Sequence, residues 1–281
     1  MSSRQVVPVA LDALDRHPCF SDEAHVLYGH LHLAVARQCN IRCNYCLPGL
    51  NNHDQRPGVA SCILKPKQAI ERLKAIVKKY FIEVVGIAGP GDSLFNEETF
   101  ETFELISKEF PQIIKCLCTN GLKLAESIPR LKELGVNFIT VTCNSLDPEV
   151  GSRIYDFVRN NGSLLRGSEA AAFLIQKQIQ GITEAVKAGM DVKINSVLIP
   201  EINLKEMVSL ARIYASLGAK IMNIMPLIPL YKMRHMRPPN CQELRQLRQD
   251  CGRYIKQFCS CQQCRADVVD IRIRKDRTNE K

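Results

Sequence analysis

Three thiols stand in the segment Cys39-Asn-Ile-Arg-Cys43-Asn-Tyr-Cys46, in CxxxCxxC spacing. Structural zinc normally takes four ligands, usually from paired CxxC elements, so three cysteines on one turn leave it a ligand short. They suit a 4Fe-4S cluster better. Thiolate is the soft ligand such clusters require, and three of them leave one iron with an open position where a substrate or cofactor can chelate. A second thiol group, Cys261-Gln-Gln-Cys264-Arg265-Ala-Asp267, lies near the chain's end with Cys259 just before it. Two thiols cannot fill a cluster alone, so this group reads as a zinc knuckle, a redox pair or part of a larger site. Residues that could complete it are Cys19, Cys116, and His25 or His32; Cys62, Cys118, Cys143, Cys241 and Cys251 read as small hydrophobes.

Thirteen cysteines in 281 residues exceed what packing needs, and an odd count leaves a thiol over in any all-disulfide scheme. A cytoplasmic chain keeps thiols reduced, which favours metal ligation over a disulfide framework. The cytoplasm is the expected compartment, because the start of the chain lacks the apolar block of a secretory signal and no stretch is long and apolar enough for a membrane span. With 46% apolar and 24% charged residues the chain is expected to be globular. The net charge of +9 is spread thinly except in the basic tail 271–281; with no Trp and 6% aromatics, the composition argues against nucleic acid as a partner.

The elements that must carry these residues alternate short apolar runs with helical periodicity, the pattern of parallel strands joined by crossover helices. Six strands are expected: Leu31 to Arg37, Ile82 to Ala88, Ile113 to Cys118, Asn137 to Cys143, Asp191 to Leu198 and Lys220 to Met225. Six βα units suit either an open doubly wound sheet or a partial barrel. Polar motifs gather where those strands end: Gly89-Pro90-Gly91-Asp92 after the second, Thr119-Asn120-Gly121 after the third, Asn144 after the fourth, Asn195 and Ser196 on the fifth and Asn223 on the sixth. Barrel sites form at the C-terminal ends of strands. Taken singly, each motif is ordinary turn chemistry; Asp92 also offers a carboxylate to an ammonium group. Residues 1–30 and 229–281 fall outside the repeat, and both read as caps over the functional end of the 31–228 barrel, with a helix expected from Asn240 to Phe258.

The CNIRCNYC loop resembles the signature of the radical S-adenosylmethionine enzymes, which implies an α/β fold, a partial (βα)6 TIM-like barrel with cysteine-bearing N- and C-terminal extensions. In that family the open iron binds the amino and carboxylate groups of S-adenosylmethionine, and an electron from the cluster releases a deoxyadenosyl radical. HPCFSDEAH at 17–25, QRPGVAS at 55–61, GIAGPGD at 86–92, CLCTNGL at 116–122, ITVTCNSLDPEVG at 139–151, KINSVLIP at 193–200, NIMPLI at 223–228 and CQQCRAD at 261–267 narrow the likeness: together they resemble the nitrogenase cofactor maturases, in order and over nearly the whole chain.

The resemblance implies an enzyme that fuses two 4Fe-4S precursors with carbide insertion. One S-adenosylmethionine methylates a cluster sulfide and a second supplies the radical. It implies that Cys39, Cys43 and Cys46 hold the radical-generating cluster, and that Gly89, Pro90, Gly91, Asp92, Thr119, Asn120, Gly121 and Asn144, with Asn195 and Ser196, surround S-adenosylmethionine. Cys19, Cys116, Cys261, Cys264 and a histidine, by preference His25, are implied for the additional 4Fe-4S precursor clusters. Cluster donors, cofactor scaffold proteins and an electron donor such as ferredoxin or flavodoxin are the implied partners. The sequence departs from the family's pattern between Leu47 and Gln55, where a further family cysteine is missing: either one precursor site lacks a ligand, or His53 or Cys62 substitutes. Asp54 stands near a usual Glu and Ser93 replaces a usual Pro. A related maturase with a different cluster substrate, or another radical enzyme with an auxiliary cluster, fits the same motifs, and a short, stand-alone form without a scaffold-like domain after Asp267 is expected.

Overall fold

The computed structural model describes residues 12–160 and 162–271, so most of the basic tail lies outside the described residues. Six parallel strands run His30–His32, Val84–Ile87, Ile114–Thr119, Val136–Thr142, Asp191–Leu198 and Ile221–Pro226. Each pairs with its chain neighbour, so the order across the sheet is the order along the chain. A doubly wound sheet must step back from its middle. This one never does, and the architecture is a partial TIM-like barrel.

Period-two alternation divides the sheet into an apolar outer and a polar inner face. Leu31, Val85, Ile87, Leu117, Ile139, Val141, Val192, Ile194, Met222 and Ile224 pack outward against helices, among them Pro66–Val77, Glu97–Glu109, Leu124–Glu133 and Met207–Ser216. His32, Cys116, Cys118, Thr140, Thr142, Lys193, Asn195 and Asn223 face inward. The first strand is shorter than the apolar run promised. Beyond His32 its backbone bonds instead to Leu64 and to the turn at Gly91 and Asp92, which carries the chain toward the cysteine loop.

The extensions sit differently from the caps expected over the strand ends. Phe20 packs with Val84, Ile114, Phe138 and Ile221, residues at or near the beginnings of strands, and with Phe258, and His17 stacks 4.7 Å from both Phe20 and Phe138. The inward-facing residues there are large and apolar, so the N-terminal segment stoppers the bottom of the barrel rather than roofing its mouth. The C-terminal extension closes the open side. Its helix, Cys241–Gly252, ends earlier than the expected Phe258, and Lys256–Gln257 then pairs with the sixth strand, while Val269–Asp270 pairs antiparallel with the first. Cys261 and Cys264 lie on the segment between those edges. A small sheet of Ile41–Cys43, Tyr155–Asn160 and Ser163–Leu165 was not anticipated; it braces the cysteine loop. Among the described residues no helix is long and apolar enough to cross a membrane.

Candidate metal and cofactor site within the barrel

A cavity of about 310 Å³ runs through the barrel, and all three thiols of Cys39, Cys43 and Cys46 line it. Their loop is fixed from several sides. Asn120 Nδ2 donates to Asn40 Oδ1 at 2.6 Å and approaches Cys39 Sγ at 3.9 Å. Asn144 Nδ2 donates to the Tyr45 hydroxyl at 3.0 Å while Asn144 Oδ1 accepts from Val197 N. Ile41 and Arg42 pair with Val158 and Phe157. Asn96 occupies the N-cap position of the helix Glu97–Glu109 but makes no capping bond with its side chain, which accepts from Gln38 N at 2.9 Å and donates to Gln38 O at 2.8 Å, next to Cys39.

The Gly89–Asp92 turn supports the same loop. A Cβ on Gly91 would meet Gln38 O at 2.1 Å and Arg37 O at 2.8 Å, so only glycine lets the two backbones lie this close, with Gly91 N donating to Ala36 O at 2.7 Å. Asp92 was expected to offer its carboxylate to an ammonium group, and it lines the cavity. Its carboxylate accepts from Leu94 N, the Thr119 hydroxyl and Asn120 N, and thereby ties the second strand's loop to the third. Burial raises its pKa to about 6 against the pull of those donors. Pro90, Gly91, Asp92, Thr119, Asn120, Asn144 and Asn195 line the cavity. Gly89 and Gly121 act through backbone shape, with φ of +114° and +86°. Ser196 turns away, because strand alternation sends its hydroxyl outward onto Cys143 O.

The deeper wall gathers Cys19, Cys116, Cys261, Cys264 and His25, as well as His17, His30, His32, Cys118 and Lys193. Cys118 is therefore no packing residue. It sits two residues after Cys116 on one strand and faces the same way, a period-two signal visible in CLC. His32 Nδ1 donates to Arg265 O at 3.2 Å and His25 Nδ1 to Pro18 O at 3.1 Å, since a carbonyl can only accept; each ring is thereby left with Nε2 as its basic nitrogen. Lys193 was also missed: its ammonium donates to Cys19 O at 2.7 Å and lies 4.1 Å from the Phe258 ring. His53 and Cys62 are exposed and do not line the cavity, so of the two alternatives the structure does not favour substitution by either.

This donor set fits iron-sulfur chemistry. Burial pushes the thiols of Cys39, Cys118 and Cys264 up to about 12 and raises those of Cys19, Cys43, Cys46 and Cys116, so without metal they stay protonated, and metal must displace the protons. Among the described residues no three His, Cys, Asp or Glu side chains gather closely enough to grip one ion. They surround a volume instead. Asp92 is the one acidic residue on the wall described, against Arg42, Arg56 and Lys193, a balance suited to anionic thiolate-bound clusters.

Residues 33–213 match the model of the Radical SAM superfamily. The FeMo cofactor biosynthesis protein NifB of Methanocaldococcus infernus is 47% identical over 261 residues, covering 92% of this chain and 86% of that protein. The NifB of Klebsiella pneumoniae is 38% identical over 284 residues, 98% of this chain but 60% of that longer protein. In fold the chain is similar to Streptococcus suis SuiB bound to S-adenosylmethionine (TM-score 0.59, 15% identity, 85% of this chain and 49% of that one). It is also similar to methylornithine synthase PylB (TM-score 0.54, 13% identity, 96% and 80%). A barrel with a thiol loop at its mouth, and relatives that match it nearly end to end, lead to one conclusion: this chain belongs to the NifB family of radical S-adenosylmethionine enzymes.

Proposed function

We propose that this chain fuses two 4Fe-4S precursors into a larger, carbide-containing iron-sulfur cluster, the precursor of the nitrogenase cofactor. The observation that carries this reading is a single cavity with two thiol sets, one on a braced loop and the other on the deep wall. Cys39, Cys43 and Cys46 would hold a 4Fe-4S cluster, which when bound would supply the electron for cleavage of S-adenosylmethionine. The chain's own part is positioning: Asn120 and Asn144 fix the loop, while Pro90, Thr119 and Asn195 wall the space beside it.

The precursor clusters are substrates. Cys19, Cys116, Cys118, Cys261 and Cys264, with His25 and His32, are proposed to hold them where the barrel excludes water, under the positive charge of Lys193. Cluster donors, a cofactor scaffold and an electron donor such as ferredoxin or flavodoxin are the partners this reading requires.

Two products distinguish it from its alternatives. Anaerobic protein supplied with iron, sulfide, a reductant and S-adenosylmethionine is expected to form both S-adenosylhomocysteine, from methyl transfer, and deoxyadenosine, from radical formation. Deoxyadenosine alone, formed only with an added organic substrate, would mark a radical enzyme of another kind.

A further inference from the structure

The loop that carries Cys39, Cys43 and Cys46 is held from its outer side by basic residues. Arg159 N donates to Asn40 O at 2.8 Å, and Lys232 N donates to Asn44 O at 3.1 Å. Each of these two residues belongs to a group of one aromatic ring with two cations. The Phe157 ring lies 5.6 Å from the Arg159 guanidinium and 5.7 Å from that of Arg166. The Tyr231 ring lies 4.3 Å from the Arg42 guanidinium and 5.7 Å from the Lys232 ammonium. Arg42 is itself a loop residue and the register partner of Phe157, so the two groups join into one rim. Arg42 reaches the cavity, whereas Phe157, Arg159, Arg166, Tyr231 and Lys232 lie outside it, with Arg159, Arg166 and Lys232 exposed.

The charge of this rim is not balanced from within. Asp156 pairs with both Arg166 and Lys232 at 3.0 Å, and among the described residues Arg42 and Arg159 form no ion pair. Four cations thus share one carboxylate. Arginine with aromatic rings is the composition of protein interfaces. Both rings are occupied by the rim's own cations rather than open for stacking, which sets the surface apart from one built for nucleic-acid bases. Electron-transfer partners meet through small, electrostatically guided contacts. Their transfer rate falls steeply with distance, so a carrier must dock against the loop itself.

We infer that this rim is the docking surface of an acidic one-electron carrier protein. The inference deepens the proposed function, because it supplies a surface for the electron donor which that reading requires, and it rests on the cluster of the thiol loop. In the docked complex one electron leaves the carrier, which is oxidised, and reduces the cluster that Cys39, Cys43 and Cys46 would hold. No proton or bond changes hands.

The test uses full-length, anaerobically reconstituted protein with flavodoxin and, in parallel, ferredoxin as the carrier. Calorimetric titration with the oxidised carrier reads docking apart from activity. Affinity is expected to fall as salt rises, since exposed charges are screened. Arg159→Glu/Arg166→Glu/Lys232→Glu should weaken it roughly 10-fold or more, the scale of electrostatic steering. Deoxyadenosine formation driven by the reduced carrier should drop with it, while formation driven by dithionite, which needs no docking surface, stays at the wild-type rate. Arg159→Glu alone keeps both ion pairs of Asp156; it should show the same split to a smaller degree, and it decides the matter if the triple variant misfolds. Unchanged affinity and unchanged carrier-driven rates with both carriers overturn the assignment. So does an oligonucleotide that binds wild type but not the variant while carrier binding stays the same. The two products that wild type forms with dithionite judge the maturase reading separately, so each can fail alone.

Discussion

At the scale of single residues, atoms far from any ligand decide where the thiols stand. Gly91 is the clearest case: a methyl group at 2.1 Å from Gln38 O has no room, so the backbone before Cys39 must move. Gly91→Ala is expected to cost about 1–3 kcal/mol of stability, the range of overpacked sites. It should also lower mouth-cluster iron and deoxyadenosine yield together, measurable by chemical denaturation and product analysis. Lys193 works differently. It is a buried cation among thiols whose ionisation burial opposes, and it favours the charged forms of Cys19, Cys116 and Cys118. Lys193→Met should weaken iron retention at the deep site roughly 10- to 100-fold, as loss of outer-shell partners does. Lys193→Arg should keep most of it. Equal retention in both variants would show that the charge is irrelevant.

At the scale of elements, the C-terminal extension behaves as a latch. Arg265 Nε donates to Asp267 Oδ1 at 2.8 Å, and its other nitrogens reach Asn51 O and Asp54 O on the loop after the cysteines. Asp267 Oδ2 accepts from both Ser61 N and the Ser61 hydroxyl at 2.6 Å. Removing one partner of a buried pair leaves the other uncompensated, so Arg265→Ala should cost about 3–5 kcal/mol. Burial raises the Asp267 pKa, but the bonds from Arg265 and Ser61 prevail and bring it down to about 2, below its ordinary 3.8. The sign follows: this contribution, on the order of 2 kcal/mol, is fully present above about pH 4 and fades as pH falls toward 2. Urea titrations of wild type and Asp267→Asn across that range should converge at the acid end. A constant difference would contradict the pairing.

Much of this was legible beforehand, and what was hidden had a common cause. Strand positions and the CxxxCxxC loop declare themselves through periodicity and spacing, so the fifth strand, Asp191–Leu198, has the bounds its pattern implies. The brace at Tyr155–Asn160 does not, because its pairing with Ile41–Cys43 spans more than a hundred residues and leaves no local period. Cys118 resembled a packing residue because CLC reads apolar throughout; the inward face appears only once the strand has neighbours. The N-terminal segment was placed at the wrong end of the barrel because its ligand-like residues drew attention from Phe20, whose apolar ring determines where it packs.

At the scale of the whole molecule, two extensions and six βα units enclose one chamber, with its thiols divided between a braced loop and a deep wall. Occupying the deep wall should stabilise the protein as any ligand of the native state does. Chelating the iron anaerobically should therefore lower the melting temperature, and more in wild type than in a Cys261→Ala/Cys264→Ala variant that has less to lose. The central claim is the division of labour between the two thiol sets. Its most direct measurement compares Cys43→Ala with Cys261→Ala, reading deoxyadenosine and fused-cluster iron in the same anaerobic samples. The expected result is that Cys43→Ala abolishes deoxyadenosine, while Cys261→Ala retains some cleavage of S-adenosylmethionine yet builds no fused cluster. Identical losses in both variants would contradict it.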